Sequence, residues 1–142
     1  MSSRCRFVPF LLKSGLILIC LAGCNKPDHP EVGRVHGVVT LDGQPLANAT
    51  VMFQPLEGRA SIGTTDEAGR YSLTYLDGVP GAKVGKHKVI IRTEVPGEDG
   101  QPPIVKEKLP KRYHDQTELT ADVQPGTNTF DFPLTSRGST SK

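Results

Sequence analysis

Alternation of apolar and polar residues in six segments restricts the fold of this chain more than any other feature. The segments lie near residues 35–41, 49–54, 71–75, 86–92, 119–123 and 130–134. A period of two places every second side chain on one face of a β-strand, so each segment has one face to bury. Residues 60–65 form a weaker seventh segment, and no stretch after residue 24 keeps a helical period for more than about two turns. The pattern predicts an all-β protein.

Short turn sequences separate these segments. Asp42-Gly43 follows the first strand, residues 66–69 (DEAG) predict a type I turn closed by a left-handed glycine, and residues 125–128 (PGTN) precede the last strand. Seven short strands at this spacing predict a seven-stranded antiparallel β-sandwich. Its expected core consists of Val35, Val39, Val51, Phe53, Tyr71, Leu73, Val89, Ile91, Leu119, Val123, Phe130, Phe132 and Leu134.

Two segments do not follow the strand pattern. Residues 95–112 contain Pro96, Pro102, Pro103 and Pro110, and we expect a long loop of the kind that is either functional or mobile. Residues 136–142 are small and polar, and we expect a disordered tail.

The first 24 residues are organised like a cleaved leader. Three basic residues, Arg4, Arg6 and Lys13, precede a short apolar run at residues 16–21, and Leu21-Ala22-Gly23-Cys24 follows. This arrangement resembles the bacterial lipoprotein signal and its lipobox. The alternatives are an ordinary secretion signal or an uncleaved membrane anchor. Lys13 leaves the anchor fewer apolar residues than the roughly 20 that a spanning helix needs.

The lipoprotein resemblance implies a processing reaction and a lipid site. Signal peptidase would recognise Leu21, Ala22 and Gly23 and cleave before Cys24, whose thiol would carry the diacylglyceryl group and whose acyl chains would include palmitate. Asn25 replaces the aspartate that retains some lipoproteins in the inner membrane, so the outer membrane is favoured. We therefore expect a protein of the cell envelope, attached to a membrane by its N-terminal lipid.

Removal of the leader changes the charge and cysteine content. The full chain has a net charge of +2, but the three basic leader residues leave the remaining 119 residues at −1, which does not suit nucleic-acid binding. Cys5 and Cys20 leave with the leader, and lipid occupies Cys24. No thiol then remains for a disulfide, a thiolate metal site or a nucleophile.

The chain is therefore expected to have four parts. They are a signal peptide at residues 1–23, a lipidated tether at residues 24–32, a β-sandwich at residues 33–135 and a tail at residues 136–142. The tether is polar and interrupted by prolines, which is typical of a short spacer.

Three stretches of the sandwich segment resemble carboxypeptidase-regulatory-like domains. They are residues 37–51 (GVVTLDGQPLANATV), residues 65–73 (TDEAGRYSL) and residues 84–91 (VGKHKVII). The resemblance spans about residues 33–135 and is shared with small bacterial lipoproteins that carry one such domain. It implies a transthyretin-like (prealbumin-like) sandwich with a surface role, and it implies no catalytic mechanism.

A related transthyretin-like family, 5-hydroxyisourate hydrolase, provides an enzymatic alternative. That family uses a histidine near the N-terminus, an arginine after a turn, and a second histidine on the last strand. His36 and Arg70 match the first two, but residues 130–134 contain no histidine, so half of the acid–base pair is absent. We expect a non-catalytic protein.

The histidines and the acidic turn residues do not predict a metal or cofactor site. His29, His36, His87 and His114 are scattered, and the acidic residues Asp42, Asp66, Glu67 and Asp77 lack the dense spacing of a calcium loop. We expect His87 to be partly buried with a hydrogen bond to a backbone carbonyl, and His36 to be solvated. At residues 113–115 we expect Tyr113 to dock while His114 and Asp115 are solvated.

Three roles for the long loop remain open. In the first, it contacts an envelope protein, and residues 102–105 pair with a strand of that partner. In the second, it contributes to a polysaccharide site. In the third, it is a mobile hairpin without a partner. Polysaccharide binding has less support because the sequence contains no tryptophan.

Overall fold

The computed structural model describes residues 29–137. The predicted signal peptide, its recognition residues Leu21, Ala22 and Gly23, and the lipid attachment site Cys24 lie outside the described residues, as does most of the predicted tail.

The described chain is almost entirely β-structure. Its strands are β1 Val32–Leu41, β2 Gln44–Pro45, β3 Thr50–Pro55, β4 Ser61–Thr64, β5 Arg70–Ser72, β6 Thr74–Leu76, β7 Val79–Pro80, β8 Ala82–Lys83, β9 Gly85–Arg92, β10 Thr120–Val123, β11 Thr127–Thr129 and β12 Phe132–Leu134. One 3-10 turn, Lys111–Tyr113, lies between β9 and β10. Among residues 29–137, no helix has the length and apolar character to cross a membrane. The predicted all-β sandwich is confirmed.

Two six-stranded sheets form the sandwich. The second sheet is antiparallel, in the order β10-β9-β3-β4-β6-β7, whereas the first is built around β1, which pairs antiparallel with β2, β5 and β8. The strand β1 also pairs in parallel with both β11 and β12, an arrangement that alternation alone did not predict. The predicted strand at residues 71–75 is divided: β5 joins the first sheet, and β6, after Leu73, joins the second.

The core lies between the two inner faces. Eleven of the thirteen predicted core residues are buried, whereas Leu119 and Phe130 are partly buried and pack against the cluster. The ring of Phe53 is central, with its centroid 5.7 Å from that of Phe130 and 6.2 Å from that of Phe132. The sequence did not predict that Leu109 and Tyr113, from the long connection, would also be buried.

Glycine is required at two kinds of position. The turn after β1 has positive φ at both Asp42 (51°) and Gly43 (80°), and Gly69 has φ of 74°, which confirms the predicted turns. At Gly37 the requirement is space, because a Cβ atom there would lie 1.8 Å from the carbonyl oxygen of Phe130.

Strand pairing defines the two ends of the sandwich. Val32 pairs with Lys83, Gly85 pairs with Val123, and Pro55 pairs with His87, so the start of β1 and the turn at residues 56–60 share one end, here called the tether end. The opposite end, the loop end, holds the turns at residues 42–43 and 66–69 and the connection at residues 93–119. A strand of ten residues, such as β1, separates these ends by about 30 Å.

Candidate functional site

The long connection at the loop end is held by one carboxylate. The oxygens of Glu107 accept hydrogen bonds from the Thr93 hydroxyl (2.6 Å) and from the backbone N–H groups of Thr93 (3.1 Å) and Leu109 (2.9 Å). They also accept from the N–H groups of Glu94 (3.4 Å) and Lys108 (3.0 Å). Glu107 therefore joins the end of β9 to the returning chain.

The same contacts determine the ionisation of Glu107. Partial burial opposes its charge, but the hydrogen bonds from Thr93, Leu109 and Glu94 outweigh burial and lower the pKa of the carboxyl below its ordinary value. Glu107 is thus a stable anion at neutral pH. The sequence contained no signal for it, because a single glutamate in a proline-rich segment resembles any solvated charge.

The returning chain docks on the core through Leu109 and Tyr113. The Tyr113 hydroxyl accepts a hydrogen bond from the Thr135 N–H (3.1 Å), and the Arg112 guanidinium lies over the ring, 4.7 Å from its centroid. The expectation that His114 is solvated was wrong. Its side chain is buried, with 7% of the residue exposed, because its Nε2 bonds the carbonyl oxygen of Leu109 at 3.1 Å.

The outer part of the connection projects as a hairpin. Val95 and Val105 form a two-way backbone bridge, with N···O distances of 3.0 Å and 3.3 Å. Both residues are exposed, and Ile104 beside them is 75% exposed. Residues 95–105, here called the distal hairpin, thus present three apolar side chains to solvent on a segment whose base is held by Glu107.

The two residues that matched the hydrolase pattern lie on the outer face of the first sheet. His36 and Arg70 line one open cavity of about 570 Å³, together with Ser72, Thr129 and Asp131. His36 is exposed, as predicted, and its Nε2 lies 3.1 Å from the Thr129 hydroxyl oxygen.

This outer-face cavity is lined by one imidazole, one guanidinium and two carboxylates, those of Asp66 and Asp131. The Arg70 guanidinium pairs with Asp66 (3.0 Å), while Asp131 accepts the N–H of Val38. His36 is the one imidazole among the residues that line the cavity. Such a surface can exchange hydrogen bonds with a polar ligand.

His87 has the environment expected from its place on the apolar face of β9. Only 3% of the residue is exposed, and its Nδ1 lies 2.9 Å from the carbonyl oxygen of Gly85, which confirms that prediction. Its ring lies 5.8 Å from that of Phe53, and its Nε2 is buried without a hydrogen-bond partner among the described residues. Burial lowers the pKa of His87, so the neutral form is favoured.

The acidic turn residues do not converge on a metal site. Asp66 accepts the N–H groups of Ala68 and Arg70, both at 2.9 Å, and Asp42 accepts the N–H of Ser136 at 3.0 Å, so both shape turns as expected. Across residues 29–137, the structure contains no group of three or more His, Cys, Asp or Glu side chains that could hold a metal ion.

A second, more apolar groove opens beside the edge strand β10. It encloses about 540 Å³ and is bordered by Leu56, His87, Ala121, Phe130 and the side chains of Lys86 and Lys88. Leu56 is 89% exposed, more than any other large apolar residue of the described chain. This groove lies toward the tether end, because Leu56 begins the turn between β3 and β4.

Comparisons with known proteins do not assign a family. No protein-family model matches the chain, and no curated protein matches it. The resemblance to carboxypeptidase-regulatory-like domains therefore stays a prediction.

Two solved structures share part of the β-rich architecture. A DUF3823 family protein from Parabacteroides merdae ATCC 43184 is 14% identical, with a TM-score of 0.39 over 75% of this chain and 47% of its own. A 9R-lipoxygenase from Cyanothece PCC8801 is 19% identical, with a TM-score of 0.37 over 74% of this chain and 16% of its own. The chain thus spans less than half the length of either protein, and at these TM-scores neither likeness bears on its function.

Proposed function

We propose that this protein is a lipid-anchored, non-catalytic interaction module of the cell envelope, attached through Cys24 and contacting a partner protein through the distal hairpin. The lipobox-like sequence motivates the anchor, and the resemblance to carboxypeptidase-regulatory-like domains implies a surface role without catalysis. The observation that carries the interaction role is the exposure of Val95, Ile104 and Val105 on a hairpin whose base is fixed.

The position of the hairpin supports this role. The tether joins the sandwich at the start of β1, while the hairpin projects from the opposite end, about 30 Å away. A domain anchored in this way presents the hairpin away from the lipid, where another envelope component can reach it. Because Glu107 and the buried Leu109 hold its base, ordering the hairpin on binding costs less entropy.

The anchor is tested by acylation. In cells supplied with an alkyne analogue of palmitate, the wild-type protein should incorporate the label and float with membranes in a density gradient. The Cys24→Ala variant should lose both properties. A Cys24→Ala protein that stays acylated would overturn the anchor.

The partner is tested by cross-linking in living cells. A photoreactive amino acid in place of Ile104 should capture a discrete protein, whereas the same group at Ile62, which is exposed on the outer face of β4, should not. Capture of envelope polysaccharide would support the glycan-binding alternative instead. Equal, diffuse products from both positions would show that the hairpin has no partner.

The non-catalytic part of the proposal is tested directly. Arg70 is neutralised by Asp66, and His36 has no second imidazole beside it in the cavity, so we expect no turnover of 5-hydroxyisourate by the purified protein. Turnover at an enzyme-like rate that is lost in His36→Gln would contradict this expectation.

A further inference from the structure

We propose that the tether end of the sandwich docks on the lipid bilayer through Leu56, so that the domain stands on the membrane instead of swinging freely from it. This inference rests on the proposed anchor at Cys24. It concerns a contact of the folded domain itself, which the anchor does not require.

The first argument is the length of chain between the lipid and the fold. The backbone is already held at Glu31, whose carbonyl accepts the Val84 N–H at 2.9 Å, and Val32 pairs with Lys83. Seven peptide units separate Cys24 from Glu31, and fully extended they reach only about 25 Å. The tether end therefore always stays close to the bilayer surface.

The second argument is the turn at residues 56–60, which lies at this same end. Its backbone is fixed to the neighbouring strand because the Lys83 ammonium donates a hydrogen bond to the Glu57 carbonyl at 3.2 Å. Lys83 is also the residue that pairs with Val32 at the start of β1. The turn and the point where the tether enters the sandwich are thus joined through one residue.

The third argument is the exposed apolar side chain of Leu56 in this turn. Leu56 is 89% exposed although the turn around it is polar, and it borders the groove that contains the half-buried ring of Phe130. Single exposed apolar residues are common on soluble proteins. Leu56 differs from such residues because it adjoins an apolar groove and the tether holds it within reach of lipid. It can therefore bury its side chain in the bilayer.

The strength of such a contact follows from the tether. Transfer of one leucine side chain into an apolar phase is too weak to bind a free protein to a membrane. The tether makes docking intramolecular, so about a 10-fold preference for the docked state is enough to keep most molecules docked. Basic and acidic residues are mixed near this end, because Lys86 pairs with Asp122 on the neighbouring strand and Arg59 and Asp77 border one shallow cavity. We therefore expect docking to depend little on anionic lipid.

The experiment uses the acylated protein in vesicles of phosphatidylethanolamine and phosphatidylglycerol. With Cys24 blocked by lipid, Leu56→Cys provides one free thiol for an environment-sensitive fluorophore. The matched control is Gln124→Cys, which is exposed at the same end of the sandwich, directly after the residue that pairs with Gly85. Because the tether brings both positions equally near the bilayer, only docking should make nitroxide-labelled lipids quench the probe at position 56 at least about threefold more than the probe at position 124.

The outcomes separate the docking contact from the anchor. If the protein floats with vesicles but lipid quenches both probes equally, docking is overturned and the anchor stands; if it does not float, both fail. A probe at position 56 that is shielded from aqueous iodide but not quenched by lipid would mean that protein covers it. Shielding that increases with protein density would identify a second copy, and either result also overturns lipid docking.

Discussion

Replacement of Glu107 tests whether one carboxylate organises the loop end. We predict that Glu107→Ala lowers the free energy of unfolding by about 3 kcal/mol and that Glu107→Gln lowers it by about half as much. Alanine removes the acceptor for four backbone N–H groups and the Thr93 hydroxyl, whereas glutamine keeps one oxygen and loses the charge.

The magnitude follows from the contacts. A net hydrogen bond to a charged group contributes roughly 1.5–3 kcal/mol, and the three shortest bonds, at 2.6, 2.9 and 3.0 Å, would give more than the predicted loss if they added. Because Glu107 is half-buried, water can replace some of the hydrogen bonds that the N–H groups lose in the variant. The loss lowers the stability of the whole domain because Leu109, whose backbone N–H donates a hydrogen bond to Glu107, is part of the core.

Urea unfolding followed by circular dichroism measures the change, with hydrogen exchange reporting on the loop. The amides of Thr93, Lys108 and Leu109 should lose protection in the variants. The control is Glu98→Ala in the distal hairpin, because the Glu98 carboxylate has no hydrogen bond or ion pair with any of residues 29–137. If Glu107→Ala matched Glu98→Ala within about 0.5 kcal/mol with unchanged protection, the assigned role would be wrong.

The pH dependence of the wild type should show the same contribution. The pKa of Glu107 is lowered in the folded state, so its stabilisation is present above its unfolded pKa, near 4.5, and is lost as pH falls through the lower folded value. Glu107→Gln should remove that component of acid sensitivity.

Three further predictions concern the core. Gly37→Ala should lower the free energy of unfolding by more than about 4 kcal/mol or prevent folding, because its Cβ would lie 1.8 Å from a carbonyl oxygen. Gly43→Ala should lower it by only about 1 kcal/mol, the strain of a φ of 80°. Similar melting temperatures for the two variants would contradict this prediction. Burial lowers the pKa of His87, so stability should fall by up to about 1.4 kcal/mol per unit as pH drops below 6.5 toward the folded pKa. His87→Leu should flatten that slope in urea titrations between pH 7 and 5, and an unchanged slope would argue against it. Tyr113→Phe should cost about 1 kcal/mol by losing the acceptor for the Thr135 N–H, and amide exchange at Thr135 should report the loss.

Local patterns predicted the parts of this fold that depend on short stretches of chain. Period-two alternation reports which face of a strand is buried, whichever strand lies beside it, so the core positions from Val35 to Leu134 were largely correct. The same reasoning placed His87 inside, because it shares a face with Val89 and Ile91. Turns at Asp42-Gly43 and residues 66–69 were also predictable, since positive φ is a local requirement.

The candidate surfaces depended on contacts between distant residues. Glu107 acquires its role only where β9 ends at Thr93, and His114 is buried only because Leu109 folds back beside it. Residues 95–112 have no period, so nothing local could show that Leu109 and Tyr113 would join the core. The position of Leu56 at the same end as the start of β1 likewise follows from pairing between Pro55 and His87 and between Val32 and Lys83.

The sequence by itself therefore determined the strands and the turns, because each is encoded within a few consecutive residues, and the motif at residues 21–24 predicts an anchor for the same reason. Only the tertiary structure decided which strands share a sheet. Every buried backbone group must find a hydrogen-bond partner, and here the partners lie up to 93 residues away in the sequence. For this reason β11 and β12 pair in parallel with β1, and the predicted strand is divided at Leu73. That pairing also placed the distal hairpin and the start of β1 at opposite ends of the sandwich.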